Sequence, residues 1–155
     1  MRGEIVLSDT LIDKYVQVKV VAKDFEEAIL KATKPLLDDG AVEQTYIDKI
    51  IDIYRNTGPY IVITEHVALP HAPSEFGANK LAIGLTILNE AVMSGHNTND
   101  PVKFLFSLSS PDQNQHLESL SALVQLLAQS DFLEELETAN SVEEVLNIVK
   151  AYEKG

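Results

Sequence analysis

The stretch Tyr60-Ile61-Val62-Ile63-Thr64-Glu65-His66-Val67-Ala68-Leu69-Pro70-His71 decides how this chain folds. Its first five residues are β-branched or aromatic and too few to make a helix alone, which suits a buried strand. Val67 to His71 has the same apolar character and reads as a second strand. Pro70 lacks an amide hydrogen and cannot donate within a central ladder, so the chain leaves the sheet where His71 appears. His71 is therefore expected to project at a sheet edge.

Upstream, Val16-Gln17-Val18-Lys19-Val20-Val21 alternates apolar and polar residues, the pattern of a first strand with one buried face. Asp24 then precedes Phe25-Glu26-Glu27-Ala28, placing a side-chain acceptor at a helix start and Glu27 at the capping-box position. That helix runs to about Leu37. Tyr46, Ile47, Ile50, Ile51 and Tyr54 recur at three- and four-residue steps and mark a second helix, ending near Gly58-Pro59. Downstream, the runs 81–88 and 102–108 predict two more strands around the polar stretch 94–101. Ser110-Pro111-Asp112-Gln113 predicts a helix with Ser110 as its cap and an apolar stripe of Leu117, Leu120, Val124 and Leu127. Two short helices follow, near 131–136 and 141–146. Helices before and after a block of strands give an α/β fold, a mixed β-sheet of about five strands flanked by helices on both faces.

The chain has 155 residues, 45% of them hydrophobic, and is expected to form a single domain over 1–155. No apolar run is long enough to span a bilayer, and Met1-Arg2-Gly3-Glu4 leads into no signal-peptide pattern, which predicts a cytoplasmic protein. Cysteine is absent, so a nucleophile must be oxygen or histidine nitrogen. The net charge of -12 and the lack of a Lys/Arg cluster argue against nucleic acid as a partner.

Chemistry near neutral pH then falls to four histidines, at 66, 71, 96 and 116. His66 and His71 are five residues apart, a spacing that points them to opposite faces of a continuous strand and makes them a poor metal pair. His116 borders the apolar face of its helix and either packs there or reaches a site. Arg55 ends a helix just ahead of the strand that leads to His71. It either holds a phosphate or offsets the helix dipole.

The segment from Gly58 to Ala72, with Leu69-Pro70-His71-Ala72 at its core, resembles the active-site segment of the enzyme IIA domains of the bacterial phosphoenolpyruvate-dependent sugar phosphotransferase system, mannitol/fructose superfamily. The blocks 95–102 and 116–123 resemble its L-ascorbate branch. The likeness spans roughly Arg55 to Leu136. It implies that His71 takes a phosphoryl group from the histidine-containing phosphocarrier protein and passes it to a cysteine of a separate IIB component. The membrane IIC component is served indirectly, and no cofactor is needed. By the same resemblance His116 matches a second active-site histidine, Arg55 an arginine before the active-site strand, and Glu65 an acidic position that could orient an imidazole. His66 departs from the pattern, which carries a small residue there, often glycine. An apolar ring of Val67, Leu69 and Ala72 is the expected docking surface. The competing readings are a regulatory IIA-like domain acting on a transcription factor or transporter, and a non-catalytic histidine-lined module binding a ligand or metal.

Overall fold

A computed structural model describes residues 6–154. The start of the chain, including Arg2, lies outside the described residues. The elements run α1 (Leu7–Thr10), β1 (Val16–Val20), α2 (Phe25–Asp38), α3 (Gln44–Thr57), β2 (Val62–Thr64), β3 (Val67–Ala68), β4 (Ala82–Ile83), β5 (Leu85–Val92), β6 (Val102–Leu105), β7 (Leu108–Ser109), α4 (Gln113–Leu127), α5 (Phe132–Glu137) and α6 (Val142–Lys154). Five strands form one mixed sheet in the order β1-β5-β6-β3-β2, and β4 pairs with β7 in a separate antiparallel ribbon.

Helices cover both faces of the sheet, as the sequence predicts. On one face Phe25, Ile29 and Leu36 of α2 and Tyr46 and Ile50 of α3 pack with Leu88, Val102 and Leu105. On the other, Leu123 and Leu126 of α4, Phe132 of α5 and Val145 and Val149 of α6 pack with Val16, Leu85, Ile87 and Phe104. Phe104 and Leu105 are neighbours in sequence and belong to opposite faces, as a strand buried on both sides requires. The alternation of β1 breaks at Lys19. Its φ is 56°, the β1–β5 register shifts between Gln17 and Val20, and Val20 packs with α2 and α3 while Val16 and Val18 pack on the other side.

Two helix starts show how side chains set the boundaries. Asp24 accepts the Glu27 amide hydrogen at 2.9 Å and opens α2, as its sequence position predicts. The α4 start differs from prediction by one cap. Asp112 is the N-cap and accepts from the Asn114 amide at 2.8 Å, while Ser110 donates to the Asp112 carbonyl at 2.8 Å. The buried stripe of α4 also differs from the predicted one: it is Ser119, Leu123 and Leu126, and Leu117 and Val124 are exposed.

Candidate functional site

β3 ends at Ala68 and the chain leaves the sheet through Leu69, Pro70 and His71. The exit beside Pro70 is as the sequence predicts. The location is corrected: β3 lies between β6 and β2, so His71 stands beyond the end of an interior strand and not at the sheet's edge. Pro70 contributes through its carbonyl, which accepts the Leu108 amide hydrogen at 3.0 Å.

The imidazole of His71 is held by its own backbone. Nδ1 lies 2.6 Å from the Leu69 carbonyl oxygen, which can only accept, so Nδ1 carries the proton. In the neutral ring the lone pair is then on Nε2. Burial holds the His71 pKa below the ordinary histidine value; the Leu69 carbonyl opposes that shift, and the charge His116 can carry adds to it. The result at neutral pH is an uncharged ring with one anchored nitrogen and one free to react.

His71 and His116 meet across a cavity of about 390 Å³, with ring centroids 5.6 Å apart. Tyr60 forms a further wall, its ring centroid 5.9 Å from that of His71 and its hydroxyl donating to the His71 carbonyl at 2.6 Å. Burial pushes the Tyr60 pKa up to about 12, which keeps that hydroxyl protonated. The rest of the wall includes Ser74, Ser110, Asp112 and Gln113. The amino end of α4 therefore faces the cavity, with its partial positive charge offset in part by the Asp112 carboxylate that caps it and takes the Asn114 amide.

Arg55 is not part of this wall. Its guanidinium makes a two-pronged ion pair with Glu26, at 2.8 and 2.7 Å, and lines a separate open concavity of about 610 Å³ with Asp48, Lys49 and Asp52. Among the described residues no lysine or arginine lines the histidine cavity. Glu65 is also elsewhere, exposed in the turn between β2 and β3, and the Leu69 carbonyl does the orienting that the resemblance assigned to it.

The proposed docking ring fails on burial. Val67, Leu69 and Ala72 expose 0%, 1% and 7% of their surface, because an interior strand covered by helices on both faces leaves no side open. His66 has φ 70°, the left-handed region, with Nδ1 2.7 Å from the Pro101 carbonyl. That backbone shape explains why a glycine suits this position. The nitrogen Nδ1 of His96 accepts the Thr98 and Asn99 amide hydrogens at 3.2 and 3.1 Å, so this ring builds its own loop. Sequence reading missed Tyr60 as a site residue, although it lies within the same segment as His71. It also counted Tyr46 only in an apolar stripe.

Comparison with known proteins gives one consistent answer. Residues 10–152 match the family described as "Phosphoenolpyruvate-dependent sugar phosphotransferase system, EIIA 2". The mannitol-specific cryptic phosphotransferase enzyme IIA component of Escherichia coli K12 is 37% identical over 143 residues, covering 92% of this chain and 97% of the relative. The ascorbate-specific EIIA component of the same organism is 29% identical over 145 residues, with 92% and 94% covered. The solution structure of the mannitol-specific cryptic enzyme IIA from Escherichia coli superposes with a TM-score of 0.86 at 36% identity, covering 95% of this chain and 99% of that one.

Proposed function

The chain belongs to the EIIA 2 family of the phosphoenolpyruvate-dependent sugar phosphotransferase system and is a phosphotransferase of the IIA class, and from that premise we propose that Nε2 of His71 is the atom that carries the phosphoryl group. The observation that carries this reading is the Leu69 carbonyl on Nδ1, which fixes the tautomer and leaves the other nitrogen unprotonated in a cavity shared with His116.

In the first half-reaction the Nε2 lone pair attacks the phosphorus of the phosphorylated histidine-containing phosphocarrier protein. The donor P–N bond breaks in line, and its electron pair returns to the donor nitrogen. Charge accumulates on the equatorial oxygens of a loose transition state, so positioning and hydrogen-bond donors carry most of the catalysis. The His116 ring and the amino end of α4 supply donors of this kind. His71 keeps its Nδ1 proton throughout, held by Leu69. In the second half-reaction a cysteine thiolate of a separate IIB component attacks the phosphorus, and the P–Nε2 bond returns its pair to Nε2. The leaving group is then a neutral imidazole that needs no incoming proton, which keeps the transfer potential high.

The same reading makes residues 1–155 one cytoplasmic IIA domain serving a membrane IIC component through IIB; among the described residues no helix is long and apolar enough to cross a membrane. We place its pathway with L-ascorbate-like uptake on the blocks at 95–102 and 116–123. A mannitol-type pathway is the second reading, favoured by the higher identity to the mannitol-specific cryptic component.

The test is incubation with phosphoenolpyruvate, enzyme I and the phosphocarrier protein, followed by peptide mass analysis under alkaline conditions that preserve phosphohistidine. A phosphoryl mass gain on the His71 peptide is expected. Labelling that persists in His71→Ala overturns the assignment. Transfer onward to purified ascorbate-type and mannitol-type IIB proteins separates the two pathways.

A further inference from the structure

The two histidines sit on segments far apart in sequence, and one buried hydroxyl joins those segments. His71 lies in the irregular stretch after β3, and His116 lies on α4, which is entered directly from β7 through Ser110 and Asp112. Tyr46 of α3 is only 2% exposed. Its hydroxyl accepts the Ala72 amide hydrogen at 3.1 Å and donates to the Leu108 carbonyl at 2.8 Å. The amide of the same residue, Leu108, donates to the Pro70 carbonyl at 3.0 Å. Both backbone polar groups of residue Leu108 are thus tied to the residues either side of His71, one directly and one through Tyr46.

We infer that Tyr46 is a positioning residue for phosphoryl transfer, a strut whose hydroxyl fixes the spacing and orientation of His71 relative to His116. The inference rests on the phosphoryl-carrier reading of His71.

The chemistry suits the task. A phenol is the one side chain of this length that carries a single rigid oxygen able to accept one bond and donate another. The ring packs in the core with α2 and the sheet, so the oxygen's place is set by an apolar anchor that cannot swing. Burial pushes the Tyr46 pKa up to about 12, so the hydroxyl keeps the proton it donates. Without the oxygen, the Ala72 amide and the Leu108 carbonyl lose their partner in a buried place, and the residue after His71 is released from the strand that leads to His116. A phosphoryl group bridging the two rings requires both within hydrogen-bond reach, and a misplacement near 1 Å costs up to ~10²-fold in rate.

The experiment compares the full-length wild type with Tyr46→Phe, which keeps the ring and removes only the oxygen. Tyr54→Phe is the control, because the Tyr54 hydroxyl also makes a backbone bond, to Ser94 at 2.6 Å, away from the cavity. Phosphocarrier protein charged with phosphoenolpyruvate and enzyme I is the donor. For Tyr46→Phe we expect a fall in kcat of at least ~10-fold with little change in KM for the donor. We also expect a weakened nuclear Overhauser contact between the His71 and His116 rings, whose centroids are 5.6 Å apart, recorded well below the melting temperature. Tyr54→Phe should keep wild-type kinetics and the wild-type ring contact. Wild-type kcat, or an unchanged ring contact, in Tyr46→Phe overturns the strut. Should that variant not fold, hydrogen exchange of the wild type decides: core-like protection of the Ala72 amide supports the strut, and free exchange overturns it. Absence of label on His71 in the wild type would instead overturn the carrier reading, so the two failures are distinct.

Discussion

Replacing His116 by alanine removes the aromatic donor that faces His71 across the cavity and little else. The residue sits in the first turn of α4, half-buried, and alanine is the stronger helix former, so the melting temperature should stay within a few degrees of wild type. The chemical loss is different in kind. With no lysine or arginine in the wall, the imidazole is one of few donors available to the phosphoryl oxygens. Losing one transition-state donor costs ~10²-fold in kcat, or about 2.7 kcal/mol. A second signature comes from electrostatics. Positive charge on His116 helps hold the His71 pKa down, so its removal lets that pKa rise and moves the acid limb of the rate profile to higher pH. Single-turnover transfer from the phosphorylated phosphocarrier protein, measured from pH 5 to 8, reads both effects. A loss smaller than threefold together with an unmoved acid limb would show that the two rings do not cooperate.

Acid stability has a defined sign. The folded His71 binds its proton less readily than an unfolded histidine, so stability is full above about pH 6.5 and declines as pH falls through the folded value. Asp39, which accepts from Lys14 and Lys80 at 2.7 and 2.8 Å and from the Tyr15 hydroxyl, is held well below the usual carboxylate range and adds a second loss below about pH 4. Urea titrations at stepped pH should show both declines, and Asp39→Asn should shrink the lower one, leaving the share of Asp100 and Glu26, whose carboxyls are also held below their usual range. Arg55→Ala should leave the His71 labelling rate within twofold of wild type, since its solvent-screened pair with Glu26 lies outside the histidine cavity; a tenfold slower rate would return Arg55 to the site. His66→Gly exchanges a strained φ and one ring hydrogen bond for a flexible residue, terms of about 1 kcal/mol each that nearly cancel. His66→Val adds a β-branched side chain at the same positive φ and should melt well below both, which thermal unfolding checks.

Periodicity and turn chemistry made the layers legible because each depends on neighbours along the chain. Asp24 announces α2, the stripe from Tyr46 to Tyr54 announces α3, and Gly58, at φ 101°, closes it. Pro70 marks the exit beside His71. The misses share a cause: each depended on which residues meet across space. Leu69 looked free for docking because strand character does not tell an edge strand from an interior one. Both Ser110 and Asp112 fit a helix cap, and Asp112 is the one used; the buried face of that helix, Ser119, Leu123 and Leu126, is set by packing against the sheet and α6, which neighbours along the chain do not reveal.

Arg55 shows the limit of reading a site by likeness. Ile53, two positions earlier on α3, lines the histidine cavity, whereas Arg55 reaches Glu26 of α2. Two residues along a helix turn about 200°, and here that turn sends Ile53 to the histidine cavity and Arg55 to the α2 side, where Glu26 holds it. A cavity without a fixed cation has a consequence for chemistry. On the carrier reading proposed above, a phosphoryl group on His71 would be held by hydrogen bonds and the His116 ring rather than by a permanently charged lysine or arginine, so less of its energy would be lost in binding and more retained for the next acceptor. That is the balance a relay needs, because a carrier that stabilised its own phosphorylated form too well would become a trap.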